Sequence, residues 1–226
     1  MSTTKIPMVE IFETVEGEGT RAGFPTVFVR LYGCDLRCTW CDTTYSYPPE
    51  KAEFVMTIAD ICRQVRSYAS KHICLTGGEP LLYGDRSAEL IEALLQDPAL
   101  LDLHIETNGA RELAPFMNRI TSDKVRYIMD YKLSGSGEQD KMIDENVQLL
   151  RDRDELKFVI ASEDDFHEAV NIIDRLPTKA QILFSPVWET MLPEQLVHLM
   201  LTHRLSHVKL SLQLHKIIWD PNKRGV

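Results

Sequence analysis

The chain lacks any apolar run approaching the roughly 20 residues of a membrane-spanning helix, so a helical membrane protein is not expected. It has no basic block. Lys and Arg number 25 against 34 Asp and Glu, a net charge of −9, which excludes general binding to nucleic acid or to an anionic membrane surface. The opening Met1-Ser2-Thr3-Thr4-Lys5-Ile6-Pro7 is polar and has no apolar signal core, so a cytoplasmic protein is expected. Internal repeats, low-complexity tracts and linkers are absent too; Pro48-Pro49-Glu50-Lys51 reads only as a loop. The 226 residues are therefore read as one domain, 1–226, long enough to bury a core. Cysteine is scarce, five in all, and in a reducing compartment these are metal ligands or core residues before disulfides.

Three of the five stand together, in Cys34-Asp35-Leu36-Arg37-Cys38-Thr39-Trp40-Cys41. The run before them, Thr26-Val27-Phe28-Val29-Arg30-Leu31-Tyr32, is rich in β-branched and aromatic residues and reads as a buried strand ending at Gly33. A loop this short can aim three thiolates at one point, and soft thiolates select iron–sulfur clusters, zinc or copper(I). Cubane clusters usually take four cysteines, so three would leave one iron open to a non-protein ligand. Cys62 shares a helical face with Ile58, Ile61 and Val65, and Cys74 sits inside the strand-like His72–Thr76; both are expected to be buried packing residues.

Beyond the cysteines, β-rich runs alternate with amphipathic ones. Strands are expected over 24–32, 72–76, 102–106, 124–130, 156–161, 180–184 and 207–213, and helices over 57–70, 86–96, 111–119, 139–151, 164–175 and 193–203. The helix 164–175 shows the period best, with Phe166, Ala169, Val170 and Ile173 on one face and Asp165, Glu168 and Asp174 opposite. Strand–helix alternation implies parallel pairing through right-handed crossovers. The fold class expected is α/β, a partial (β/α)6-type barrel of mostly parallel strands. Ligands of such sheets bind beyond the carboxyl ends of the strands, where the cysteines sit.

Thr76-Gly77-Gly78-Glu79-Pro80 follows strand 72–76, and Glu106-Thr107-Asn108-Gly109 ends the next. Paired glycines let backbone groups approach a ligand closely, and Glu79 adds an acceptor. Together with Trp40 just before the third cysteine, these motifs resemble those of the radical S-adenosylmethionine (SAM) superfamily. In that superfamily the open iron chelates SAM, and its reductive cleavage yields a 5′-deoxyadenosyl radical. Glu10-Ile11-Phe12-Glu13-Thr14-Val15-Glu16-Gly17-Glu18-Gly19, Arg30, Cys41-Asp42-Thr43 and Gln213-Leu214-His215-Lys216 narrow the resemblance. The whole chain is similar to the 7-carboxy-7-deazaguanine synthase family.

That resemblance implies a radical ring contraction of 6-carboxy-5,6,7,8-tetrahydropterin to 7-carboxy-7-deazaguanine with loss of ammonia, in 7-deazapurine (queuosine) biosynthesis. It implies a 4Fe–4S cluster on Cys34, Cys38 and Cys41 and a magnesium ion on Thr43. SAM would be held by Trp40, Cys41, Asp42, Gly77, Gly78 and Glu79 and by the triplet Asp130, Tyr131 and Lys132. Substrate would be held by Val15, Glu16, Gly17, Arg30, Thr76 and the Val226 carboxylate, with Glu18 as the catalytic carboxylate. A homodimer and an external flavodoxin- or ferredoxin-like electron donor belong to the same picture, with no nucleic acid and no membrane. Two positions depart from the family pattern: Glu16 replaces Gln, and Asp130-Tyr131-Lys132 replaces Ser-Pro-Lys, so that Asp130 can take ribose hydroxyls where a serine hydroxyl is lost. Phe184-Ser185-Pro186-Val187-Trp188 is a further candidate for the SAM site.

Two other functions fit parts of the pattern. A glycyl-radical activase would act on a protein partner, against which the Gly17-Glu18-Gly19 loop argues. A zinc- or iron-binding regulatory module needs only the cysteines. Replacing any one of Cys34, Cys38 or Cys41 by Ala is expected to remove most bound iron and all activity, whereas Cys62→Ala and Cys74→Ala keep the iron. Iron content after anaerobic purification checks this, and an iron-replete Cys38→Ala protein would refute the cluster assignment.

Overall fold

The computed structural model describes residues 3–226; Met1 and Ser2 of the polar opening lie outside them. In chain order the elements are β1 (Lys5–Val15), β2 (Pro25–Leu31), β3 (Phe54–Thr57), α1 (Ile58–Arg66), β4 (His72–Gly77), α2 (Asp85–Leu94), β5 (Asp102–Thr107) and α3 (Ala114–Arg119). There follow β6 (Val125–Asp130), α4 (Asp144–Leu149), β7 (Glu155–Ile160), α5 (Glu163–Arg175), β8 (Gln181–Pro186), α6 (Pro193–Thr202), β9 (Val208–Leu210) and α7 (Leu214–Ile218). One nine-stranded sheet runs β3-β1-β2-β4-β5-β6-β7-β8-β9, with β3 and β9 at its two ends. From β2 onward every neighbouring pair is parallel, and β1 is antiparallel to both β2 and β3. The expected α/β half-barrel is the architecture found.

The period-two alternation of the strands sorts their side chains onto two unlike faces. Val27, Val29 and Leu31 of β2, Ile73 and Leu75 of β4, Leu103 and Ile105 of β5, Val125, Tyr127 and Met129 of β6 and Leu156, Phe158 and Ile160 of β7 all join the apolar core under the helices. Phe158, Phe166 and Phe184 meet edge to face there, at 5.6–5.8 Å, each pair adding about 0.5–1.5 kcal/mol beyond burial. The helices are positioned by ordinary caps. Thr57 accepts the Asp60 N–H at the start of α1, and Ser162 accepts the Asp165 N–H at the start of α5.

The intervening residues face the concave side: Phe28 and Arg30, Cys74 and Thr76, Asp102, His104 and Glu106, Arg126 and Asp130, Glu155 and Lys157. Most are charged, and most are buried. A half-barrel whose concave face is polar has its ligand site there by construction.

Several expected boundaries shift. β1 is not among the expected strands, because a bulge at Val9 breaks its alternation: Ile6 and Met8 are buried, then Val9 and Ile11. β3 spans four residues at the sheet edge. Expected helices 111–119 and 139–151 shorten to α3 and α4, α3 starting around Pro115 and α4 after a separate 3-10 turn at Gln139–Lys141. Expected strand 207–213 shortens to β9, and α7 follows it. Among the described residues no helix is long and apolar enough to cross a membrane.

Candidate functional site

The carboxyl ends of β2, β4, β5 and β6 open into a cavity of about 620 Å³. The cysteine loop leaves β2 and is pinned from several sides. Gly33 N–H donates to Ser46 O, Thr39 N–H to Ser136 O, and Glu79 N–H to Gly33 O. Gly77 and Gly78 are needed for the same closeness. A Cβ on Gly77 would lie 2.2 Å from Leu31 O, and one on Gly78 2.2 Å from Gly33 O and 2.8 Å from Cys34 Cβ. These glycines serve backbone-on-backbone packing of the β4 turn against the cysteine loop, in addition to lining the cavity.

Cys34, Cys38 and Cys41 are free and partly exposed, whereas Cys62 and Cys74 are buried. Cys62 belongs to the apolar core; Cys74 faces the concave side instead, next to His104. Burial pushes the Cys38 thiol up to about 11, so a bound metal is what would bring it to the thiolate. Asn108 Nδ2 lies 3.8 Å from Cys34 Sγ and Thr43 Oγ1 3.7 Å from Cys41 Sγ. Among the described residues the one set of three donors within 4.8 Å of each other is Glu16, Cys74 and His104. The three loop cysteines are not such a set; as three soft donors with no fourth cysteine beside them, they suit a cluster that leaves one iron open. The donor set thus fits a thiolate-held cluster.

The cavity gathers almost all of the residues singled out in the sequence: Val15, Glu16, Gly17, Glu18, Arg30, Trp40, Cys41, Asp42, Thr43, Thr76, Gly77, Gly78, Asp130, Lys132 and Val226 line it. Two of the expected residues have side chains with partners inside the protein. Glu79 is fully buried and is consumed internally, accepting Leu81 N–H at 2.8 Å, Asn108 N–H at 2.7 Å and the Thr107 hydroxyl. It ties the β4 turn to the end of β5 and does not face the cavity. Tyr131 packs beside Phe158 and donates to Asp144, so only its neighbours Asp130 and Lys132 reach inward. Of the segment 184–188, Val187 and Trp188 line the cavity, while Phe184 is core.

The cavity is charge-matched. Glu18 Oε2 accepts from Lys157 Nζ at 2.9 Å and Oε1 from Gln213 Nε2 at 2.9 Å. Burial works to raise the Glu18 carboxyl, but the Lys157 ammonium outweighs it and holds it at about 2. That pairing contributes stability above the ordinary 4.5 and loses it as pH falls toward 2. Asp130 Oδ2 takes Lys132 Nζ at 2.8 Å, and Asp130 Oδ1 is buried without a partner among the described residues. Arg30 Nε donates to Glu10 at 2.8 Å, and the Tyr45 hydroxyl donates to the same carboxylate. Arg224 stacks on Tyr45 at 3.7 Å, bringing the tail to this corner, and Lys216 Nζ meets Asp42 at 3.3 Å. Lys157 and Tyr45 escaped the sequence reading, and Glu10, Gln213 and His215 stood in its motifs without a role. For Lys157 the period-two signal was present, since it alternates with Leu156 and Phe158.

Comparison with known proteins agrees with this geometry. Residues 28–176 match the model of the radical SAM superfamily. A 7-carboxy-7-deazaguanine synthase of Clostridium acetobutylicum is 39% identical over 97% of this chain and 98% of its own length. One from Leptospira interrogans is 33% identical over the full length of both. The crystal structure of QueE from Escherichia coli superposes with a TM-score of 0.68 at 21% identity, covering 92% of this chain and 94% of that one, which is a likeness of fold.

Glu79 supplies a stability test independent of activity. In Glu79→Gln an amide NH2 must face the Asn108 or Leu81 N–H, leaving a buried donor unsatisfied. The variant is expected to lose about 1–3 kcal/mol in urea unfolding.

Proposed function

The chain belongs to the radical SAM superfamily and, within it, to the 7-carboxy-7-deazaguanine synthases, and from that membership we infer how its own cavity serves the reaction. The reaction is the ring contraction of 6-carboxy-5,6,7,8-tetrahydropterin to 7-carboxy-7-deazaguanine with loss of ammonia, in queuosine biosynthesis. The observation that carries the reading is the meeting, in one cavity, of the cysteine loop, the Gly77-Gly78 turn, the Glu16–Glu18 loop and the C-terminal segment.

Cys34, Cys38 and Cys41 would hold the 4Fe–4S cluster, and Trp40, Cys41, Asp42, Gly77, Gly78, Asp130 and Lys132 would hold SAM against it. When bound, these cofactors supply a 5′-deoxyadenosyl radical that abstracts one hydrogen from the substrate. The unpartnered Asp130 Oδ1 is an acceptor suited to a ribose hydroxyl. Glu18 keeps a lone pair on each oxygen beyond its bonds to Lys157 and Gln213, so its ionised carboxylate can accept N–H groups from the guanidine-like edge of the pterin. Backbone groups of Val15 and Gly17 and the Thr76 hydroxyl complete that contact. Arg30 offers a counter-charge to the substrate carboxylate. Thr43, whose hydroxyl lines the same cavity, would hold the family's magnesium through oxygen. Residues 221–226 wall the cavity and keep water from the reacting centre. The part-exposed cysteines leave an approach for an external one-electron donor. Exposed Leu192, Val197 and Leu201 on and beside α6 are apolar surface of the kind a homodimer covers.

The test is anaerobic incubation of reconstituted protein with SAM, dithionite, magnesium and the carboxytetrahydropterin, followed by mass analysis. The expected result is 7-carboxy-7-deazaguanine with release of 5′-deoxyadenosine, falling on chelation and restored by magnesium. A protein that cleaves SAM but leaves the pterin unchanged would overturn the substrate. Deleting Arg224–Val226 removes the stack on Tyr45 and one wall of the cavity. That variant is expected to raise substrate KM more than tenfold, equivalent to about 1.4 kcal/mol, with iron content unchanged. Steady-state kinetics beside an iron assay reads both.

A further inference from the structure

His104 is completely buried one row beneath the cavity, and both of its ring nitrogens face carboxylates. Nε2 lies 2.6 Å from Glu16 Oε2 and Nδ1 lies 3.1 Å from Asp102 Oδ2. An ionised carboxylate only accepts, so each ring nitrogen must carry a hydrogen, and the ring is an imidazolium. It has no lone pair left for a metal, although Glu16, Cys74 and His104 stand close enough to suggest one.

Charge balance gives the same answer independently. Asp102 Oδ1 also takes Arg21 Nη2 at 3.0 Å and lies 3.1 Å from Arg126 Nε, an ion pair without hydrogen-bond alignment, and Arg126 Nη2 reaches Glu155 at 3.4 Å. Three buried carboxylates, Glu16, Asp102 and Glu155, thus face two guanidiniums, and the third cation is His104. Cys74 contributes no charge, since burial pushes its thiol up. Glu106 and His72 are the remaining titratable neighbours along the strands, and burial works to raise the Glu106 carboxyl.

The lattice fastens one loop. Glu16 Oε1 accepts the Glu18 N–H at 3.2 Å, Thr20 N–H donates to Glu155, Arg21 binds Asp102, and Gly19 N–H reaches Ser211 Oγ at 2.9 Å. Both Glu16 oxygens are therefore engaged within the protein. We propose that His104 is a positioning residue for the reaction: bridging Asp102 to Glu16, it fixes the turn that aims Glu18 at the substrate. The role rests on the pterin reading of the cavity.

Loss of the ring proton would set a lone pair against one carboxylate and free Glu16. The ring proton is held well above the ordinary 6.5: burial opposes the charged form, but the Glu16 and Asp102 carboxylates favour it. The clamp is therefore intact below 6.5 and is lost only as pH rises through the elevated value. Substrate KM should stay flat through neutral pH and climb on the alkaline side.

The proposal is tested on cluster-loaded protein. His104→Gln should raise KM for the carboxytetrahydropterin at least tenfold with kcat within about threefold, leaving iron content and SAM binding unchanged. Glu16→Gln added to His104→Gln restores neutrality and should recover most of that loss, which a merely structural hole would not. In native protein, 15N spectra of labelled histidine should show both His104 nitrogens protonated at pH 8. A neutral ring at pH 7, or an unchanged KM in soluble His104→Gln, overturns the proposal; if the variant does not fold, the native spectrum decides. Native protein inert toward the pterin removes the function itself and leaves the spectrum to judge the clamp.

Discussion

A sheet that stops short of closing has no second apolar layer to lay against its concave side. Here that side is covered with charge, and the pairing of those charges governs everything above them. Asp102 is the junction: it takes Arg21 from the loop after β1, His104 from its own strand and Arg126 from β6. Breaking such a buried pair costs several kcal/mol because the survivor cannot find water. The loop that carries Glu18 is therefore seated on an ionic floor that resists displacement.

The rim is fixed by a second constraint, the closeness of two backbone turns. The β4 turn lies so near Gly33 and Leu31 that only glycine fits at positions 77 and 78, and Glu79 clamps its far side to Thr107 and Asn108. Motion of the cysteine loop relative to the β4 turn would have to break Glu79 N–H to Gly33 O and Gly78 N–H to Leu31 O together. Floor and rim are held by different physics, charge pairing below and steric fit above, so a change in one need not loosen the other.

The alternation of parallel strands and helices was plain in the sequence because core strands such as β4 and β5 put Ile73, Leu75, Leu103 and Ile105 on one face at period two. The cysteine loop and its glycine turn were plain because their chemistry is local. β1 was hidden, since the Val9 bulge reverses its pattern midway. The internal partners of Glu79 and Tyr131 were not legible, because motif position does not reveal which way a side chain turns. The charged floor was legible in outline, as Asp102, His104 and Glu106 alternate with apolar neighbours, but a charged strand face ordinarily reads as solvent-facing. Only the loop folded over it shows that water is excluded.

The covering of the cavity also has a schedule. Gly17 O accepts the Leu214 N–H, Glu18 meets Gln213, and Gly19 meets Ser211, so residues 17–19 are bonded to residues almost 200 positions on. Such contacts carry the largest loop-closure entropy and form late. Synthesis delivers the cysteine loop before the residues around 211–216 that complete the cavity. The cavity is therefore complete only once residues 211–216 have folded back onto residues 17–19.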